Sequence, residues 1–339
     1  ISMTIVPQRV LIIQTAFIGD VILATSLLEK IHHHNPKANI DFLVRKGNEA
    51  LLKNHPFIQN LIIWDKQGSK YKSLYQLLKQ IRTAQYDAVV NTQRFGATGM
   101  LTAFSGAKIR SGFAKNPFSI GFTHSADHEI GNGTHEVERN QKLIDFFTNS
   151  QYAQPRLYPS EKDFQKIEEY TKLPFITLSP SSVWFTKQYP ENKWVDLLDQ
   201  LPKTYNIYLL GGPGDKEKNE SLISKCTKNV PENLAGKLGL LQSAALMSKA
   251  DMNYVNDSGP LHLCSAMNAP VTSVFCSTIP GFGFTPLSDE NFIIETTKKL
   301  SCRPCGLHGL KHCPKGHFDC ANTIETSQLT APIITNKIK

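Results

Sequence analysis

The chain has 339 residues, 40% hydrophobic and 19% charged, which is globular composition and excludes a disordered chain. That length exceeds one ordinary hydrophobic core and predicts two domains of roughly 150 residues each. Lys and Arg number 37 against 29 Asp and Glu, a net +8 that favours anionic partners, although solubility alone would account for it.

Ile1-Ser2-Met3 reads as a cloning remnant before a start at Met3, and the chain then opens into the strand-like run Arg9-Val10-Leu11-Ile12-Ile13 without a signal-peptide pattern. Residues 10–14 are a short apolar run. A turn containing Gly19 leads into a helix over 21–31, where Leu23, Leu27, Leu28 and Ile31 repeat at helical spacing until Pro36 stops it. Strands are expected at 40–44, 61–64 and 88–91, with helices near 49–53 and 74–84. From Gln93 to about Gly133 the pattern is Gly-rich and irregular, and helix resumes over 135–147. Residues 150–172, with Pro155, Pro159 and a charged segment, read as the link between domains.

The second half repeats the alternation. A strand at 175–178 and a helix at 193–201 precede a strand at 207–210 that runs into Gly211-Gly212-Pro213-Gly214. Helices at 216–226 and 241–249 follow, then strands at 252–255 and 271–275 around a helix beginning at Gly259-Pro260. This periodicity predicts an α/β chain of two Rossmann-like domains, with parallel sheets facing a central cleft and ligands at the carboxyl ends of the strands. The domains are expected over 1–160 and 173–325, with a helix or tail over 326–339. No stretch approaches the ~18 apolar residues of a membrane-spanning helix, so a soluble, cytoplasmic protein is expected. Basic residues run along the whole chain rather than in one cluster, which argues against a nucleic-acid-binding module.

Four places carry chemistry. Asn256-Asp257-Ser258-Gly259-Pro260-Leu261-His262 follows a strand and starts a helix. Asp257 or Ser258 suits the cap and Pro260 the first turn, so the pattern is either a plain capped helix or a phosphate site made of free N–H groups and a positive dipole end. Thr15-Ala16-Phe17-Ile18-Gly19-Asp20 occupies the same place in the first half. There Asp20 is a cap or a base for an attacking hydroxyl, and a helix start lowers its basicity unless burial opposes. Asp215, after the Gly-rich turn, binds ribose hydroxyls or caps the next helix. Lys187, in a loop with Ser181, Ser182, Trp184 and Tyr189, is a solvated lysine or a neutraliser of a diphosphate leaving group. No Gly-Lys-Ser/Thr follows a Gly-rich turn and no G-x-G-x-x-G follows the first strand, which excludes a P-loop and argues against a dinucleotide-dependent dehydrogenase.

Cys226, Cys264 and Cys276 are isolated in apolar surroundings and read as reduced core residues. Cys302, Cys305, Cys313 and Cys320 instead form a Cys-x2-Cys-x7-Cys-x6-Cys cluster. That spacing fits a closed tetrahedral site for structural zinc or iron, with His308, His312 or His317 able to replace one sulfur; free thiols or labile disulfides are the alternative. His32-His33-His34 reads as a helix end rather than a metal site.

Together these pieces resemble the ADP-heptose:lipopolysaccharide heptosyltransferase family over nearly the whole chain. The carrying residues are Arg9-Val10-Leu11-Ile12-Ile13 with Ile18-Gly19-Asp20-Val21, His135-Glu136-Val137-Glu138-Arg139, Lys187 with Tyr189-Pro190 and Trp194, Gly211-Gly212-Pro213, and Asp257-Ser258-Gly259-Pro260-Leu261-His262-Leu263. The cysteine cluster with Pro314-x-Gly316-His317 is similar to the tail of the heptosyltransferase II branch. The resemblance implies a GT-B fold, with an acceptor-side first domain and a nucleotide-sugar-binding second domain. It implies inverting transfer of heptose from ADP-L-glycero-D-manno-heptose to the lipopolysaccharide inner core, with no catalytic cofactor. Asp20 would be the base and Lys187 the catalytic lysine. Ser181 and Ser182 would hold diphosphate and sugar, Asp215 the ribose, and Asp257, Ser258, Gly259 and His262 the phosphate-binding helix start. The implied partners are the ADP-heptose donor and a lipid A-core acceptor at the inner membrane surface, with peripheral contact there and no nucleic acid. Same-family transferases with another nucleotide sugar or a protein acceptor share these motifs.

Overall fold

A computed structural model describes residues 6–67 and 70–336, so Ile1-Ser2-Met3 and the last three residues of the expected tail lie outside the described residues. The chain divides into two compact units, Ile1–Tyr158 and Pro159–Lys339.

In the first unit, β1 (Arg9–Ile13) is buried at four of its five positions. The helix α1 (Ile18–His34) begins three residues before the expected start, because the Asp20 carboxylate accepts the Phe17 N–H at 3.2 Å and closes the first turn. Its last turn is His32–His34, cationic-capable groups at the negative end of the helix dipole. Next come β2 (Asn39–Arg45), β3 (Ile58–Trp64), α2 (Lys70–Ala84) and β4 (Ala88–Asn91). The helix expected near 49–53 is only a 3-10 turn, Glu49–Leu51. The stretch expected to be irregular contains α3 (Gly96–Ala103), β5 (Ile109–Phe113) and β6 (His124–Ala126). Two of its glycines serve close packing. A Cβ on Gly99 would stand 1.9 Å from the Asn116 side chain, and one on Gly112 would stand 2.4 Å from the Phe122 ring. The helix expected over 135–147 is α4 (Glu136–Gln141), which then loosens into turns mixing i→i+3 and i→i+4 hydrogen bonds. The strands are all parallel, in the order β3-β2-β1-β4-β5-β6.

The second unit begins inside the segment expected as a link. There α5 (Glu161–Ile167), capped reciprocally by Ser160 and Asp163, packs on a helix of this unit, α8 below. It continues through β7 (Phe175–Ser179), α6 (Glu191–Gln200), β8 (Asn206–Leu209), α7 (Lys216–Ser224), β9 (Glu232–Asn233) and α8 (Leu240–Met247). After these come β10 (Met252–Asn256), α9 (Gly259–Met267), β11 (Val271–Phe275), β12 (Asn291–Glu295), α10 (Asp319–Asn322) and α11 (Thr326–Asn336). Its parallel order, β12-β11-β10-β7-β8-β9, is the first unit's order again. The terminal helix belongs to the core: Leu329 and Ile333 pack with Trp194, Leu197 and Tyr254, and the Tyr254 hydroxyl donates to Leu329 O at 3.1 Å. Each such buried aliphatic side chain contributes about 1.5–3 kcal/mol.

Candidate active site

In this strand order the chain winds in opposite directions from the two central strands, leaving a gap at their carboxyl ends where ligands bind. In the first unit the gap lies between β1 and β4. Side chains leaving those strands lock together: Gln14 Nε2 donates to Thr92 Oγ1 at 2.9 Å, and Thr15 N and Oγ1 donate to Gln93 Oε1 at 3.0 and 2.8 Å. Two neighbours brace the same loop. Asn48 Nδ2 donates to Ala16 O at 2.9 Å, and Lys66 Nζ reaches both oxygens of Thr15 at 3.2 Å. The loop is thereby fixed, and with it Asp20, the third residue of α1. Phe17 stands 58% exposed beside it, with the Arg45 guanidinium 5.1 Å from its ring centre.

In the second unit the gap lies between β7 and β10, and fully buried Asn256 shapes it. Its Oδ1 accepts the Tyr189 N–H at 2.9 Å and its Nδ2 donates to Pro180 O at 2.8 Å, drawing the intervening loop onto the end of β10. That loop carries Lys187, whose Nζ lies 2.8 Å from Asp257 Oδ2. The same oxygen accepts from Thr278 Oγ1 at 2.6 Å. Asp257 therefore holds the lysine rather than capping α9. Nor does the Ser258 side chain cap it; Ser258 Oγ donates to Asn256 O at 3.4 Å. The first turn of α9 thus offers backbone N–H groups beside bare Gly259, an anion-binding arrangement. His262 is buried on that turn. Ser181 Oγ is buried without a hydrogen-bond partner, a cost that a ligand oxygen would remove.

Two further predicted residues are held nearby. Ser182 O accepts from Gln188 Nε2 at 2.6 Å, and Gln188 Oε1 in turn accepts from Lys218 Nζ on α7. Burial pushes the Lys218 ammonium below the ordinary lysine range, against the opposing pull of Asp215 and Glu191. Asp215 Oδ2 accepts the Gly212 N–H at 2.8 Å, so it closes the 3-10 turn Pro213–Asp215 instead of capping α7.

The thiol-rich loop leans on the Lys187 loop. Thr186 N donates to Leu310 O at 3.1 Å, and Leu310 N donates to Thr186 Oγ1 at 2.7 Å. Gly309 lies between them at φ +80°, where a Cβ would meet Lys187 Cγ at 2.9 Å. Arg303 spans the end of β11, donating to the carbonyls of Phe275, Cys276 and Thr278 and pairing with Glu295 at 2.8 Å. All four cluster cysteines carry free thiols. Burial first, then the neighbouring thiols, push Cys305 and Cys320 upward, the second to about 12. His317 Nε2 lies 3.9 Å from Cys302 Sγ. The thiols are neighbours and chemically a zinc or iron donor set. Among the described residues, however, no three His, Cys, Asp or Glu side chains are arranged to hold a metal ion. Of the three cysteines expected in the core, Cys264 and Cys276 are fully buried, and Cys226 is half-buried at its edge.

The profile of glycosyltransferase family 9 (heptosyltransferase) matches residues 74–308. The chain belongs to this family. It is accordingly a glycosyltransferase. A lipopolysaccharide core heptosyltransferase, OpsX of Haemophilus influenzae, is 25% identical over 286 residues, covering 79% of each chain. The structure of Escherichia coli ADP-heptose lps heptosyltransferase II superposes with a TM-score of 0.79 at 20% identity, covering 97% of this chain and 99% of that one. The iron-containing dodecameric glycosyltransferase TibC from enterotoxigenic E. coli H10407 reaches 0.58 at 14% identity, covering 98% and 77%. The two parallel sheets with helices are those of the GT-B fold of family 9 structures.

The sequence did not point to Gln14, Asn48, Lys66 and Gln93 in the first unit, or to Thr186, Arg303 and Gly309 in the second. Only Gly309 carried a readable signal, a glycine in a polar loop. The others act through partners far away in the chain, as Thr15 and Gln93 do.

Proposed function

We propose that this family 9 transferase moves heptose from ADP-L-glycero-D-manno-heptose to the inner core of lipopolysaccharide, in the manner of heptosyltransferase II, with inversion at the anomeric carbon. The observation that carries the reading is Lys187, held by Asp257 beside the uncapped start of α9. An ammonium and a helix amino end together suit a departing nucleoside diphosphate. They stabilise charge that grows as the sugar becomes oxocarbenium-like, so they act most strongly in the transition state. Ser181 and Ser182 would hold diphosphate and sugar, Asp215 the ribose, and Gly259 and His262 the phosphate at the helix start. Asp20 would take the proton from the acceptor hydroxyl, its loop kept rigid by Gln14, Gln93 and Asn48. The names of the relatives support the donor and the lipid-linked acceptor, since they are lipopolysaccharide and ADP-heptose enzymes.

The four cysteines are proposed to hold a structural zinc or iron that takes no part in transfer. Supporting this are their spacing, their proximity and the iron of TibC. Elemental analysis of protein purified without chelator should find one tightly bound metal per chain; finding none ends that part of the reading.

The test of the transfer itself is turnover with ADP-heptose, UDP-sugars and GDP-sugars against Kdo2-lipid A, bare or carrying one heptose, with products weighed by mass spectrometry. A single heptose added from ADP-heptose to the heptose-bearing acceptor is expected. Transfer only from a UDP- or GDP-sugar would overturn the donor, and addition to the bare acceptor would overturn the heptosyltransferase II assignment.

A further inference from the structure

The basic residues run along the whole chain, but the acidic residues that would balance them do not. Residues 66–126 contain nine Lys and Arg but a single acidic residue, Asp87; of the chain's 37 basic and 29 acidic residues, 28 of each therefore remain outside it. The whole excess belongs to one segment. Its lone acid is engaged at the amino end of β4, where Asp87 Oδ2 accepts the N–H groups of Gln8 and Arg9, both at 2.9 Å.

That segment also exposes apolar side chains in a connected row. On α2, Tyr71, Tyr75, Lys79 and Arg82 follow at helical spacing and share one face, with the tyrosines 84% and 68% exposed. Arg82 Nη1 donates to the Phe104 carbonyl at 3.0 Å, joining the end of α2 to the end of α3. Phe104, itself 52% exposed, meets Phe118 edge to face at 6.2 Å, and the turn Ser119–Gly121 then presents Ile120 at 99% exposure. Lys72, Lys108 and Lys115 are exposed along the same segment.

Single exposed hydrophobic residues are ordinary. A row of them coinciding with all of a chain's excess positive charge has a specific use. Lysines keep their ammonium groups in water near anionic headgroups, while aromatic and aliphatic tips settle into the interfacial layer. We propose that this face docks the enzyme on an anionic membrane surface, the lysines meeting phospholipid headgroups and Phe104, Ile120 and the tyrosines entering the layer beneath. Nucleic acid would satisfy the charge, but it gives a fully exposed isoleucine nothing to enter. The proposal extends the lipid-linked acceptor reading, yet its test needs no sugar transfer.

The full chain is sedimented with vesicles of phosphatidylcholine, alone or mixed with phosphatidylglycerol, at rising salt. Binding is expected to the mixed vesicles only, and to fade as salt screens it. Replacing Lys72, Lys79 and Lys115 by Glu should abolish it, since each surface charge removed weakens binding by about fivefold. Ile120→Ser should weaken binding without changing its salt dependence. ADP binding should be unchanged in both, which also checks folding. Equal binding to both vesicle types, no binding to either, or full binding by the lysine variant would overturn the proposal. So would a single-stranded oligonucleotide that binds with the same lysine dependence while vesicles do not. Should the lysine variant lose ADP binding as well, the parent's vesicle preference and Ile120→Ser decide. Vesicle binding without any heptose transfer would remove the proposed function and leave this face standing.

Discussion

At the gap between β1 and β4 the loop is held by amides and hydroxyls together with the Lys66 ammonium, and the charge it presents is a carboxylate, Asp20. At the matching gap between β7 and β10, buried Asn256 holds the loop, which presents an ammonium, Lys187, already paired with Asp257. Overall charge runs the other way: Ile1–Tyr158 carries 18 basic against 11 acidic residues, while Pro159–Lys339 carries 19 against 18. Shared strand order thus decides where a ligand can lie, and a few side chains at the gap decide which ligand it is. A carboxylate can take a proton; an ammonium at a helix amino end can take a phosphate.

The largest effect that would break this comparison is at Asp20. Asp20→Ala should lower turnover on the order of a thousandfold, the scale of a lost general base; a variant turning over like the parent would remove Asp20 from that role. Next is Lys187→Ala, which should reduce the maximal rate on the order of a hundredfold, as the loss of one stabilising donor does, with Lys187→Arg recovering part of it. An alanine variant with an unchanged rate would break the second half of the comparison.

Gly309→Ala sharpens it by disturbing the support of Lys187 rather than the lysine. A non-glycine residue at φ +80° costs about 1–2 kcal/mol, and the new methyl would press on the Lys187 stem. A lowered melting temperature together with a raised KM for the donor is expected. An unchanged KM would show that the thiol-rich loop does not position the lysine.

The smallest effect lies outside both gaps. Burial works to raise the Asp199 carboxyl, but the Thr227 hydroxyl and the N–H groups of Thr227, Lys228 and Asn229 outweigh it and hold the group at about 2. A depressed carboxylate stabilises the fold fully above the ordinary aspartate range. That contribution is lost as pH falls toward 2. Melting temperatures should therefore drop on that acid side in the parent and less steeply in Asp199→Asn; equal slopes would contradict the assignment.

Much of this was legible in the chain. Strand–helix alternation located most strands of both sheets, and the run from Asn256 to His262 marked the start of α9 because a strand end, a bare glycine and Pro260 fall in sequence there. Lys187 and Asp20 stand out as candidates in the same way, each at a loop following a strand. What stayed hidden has physical reasons. Gly99 and Gly112 belong to the stretch expected to be irregular but sit inside α3 and β5, where they admit the Asn116 and Phe122 side chains. In the sequence Asp257 is one of two candidate caps or part of a phosphate site, since nothing local shows that Lys187, seventy residues earlier, and Thr278 would claim its carboxylate. The charge imbalance escaped because the bases are evenly spaced; it is the missing acids between Asp65 and Asp127 that reveal it.

The division of labour is tested most directly by calorimetric titration of ADP into the Asp20→Ala and Lys187→Ala variants, side by side with the parent. Asp20→Ala should bind ADP like the parent, while Lys187→Ala should bind at least about tenfold more weakly, the size of one lost charge-assisted hydrogen bond. Parent-like affinity in Lys187→Ala, or a loss confined to Asp20→Ala, would contradict it.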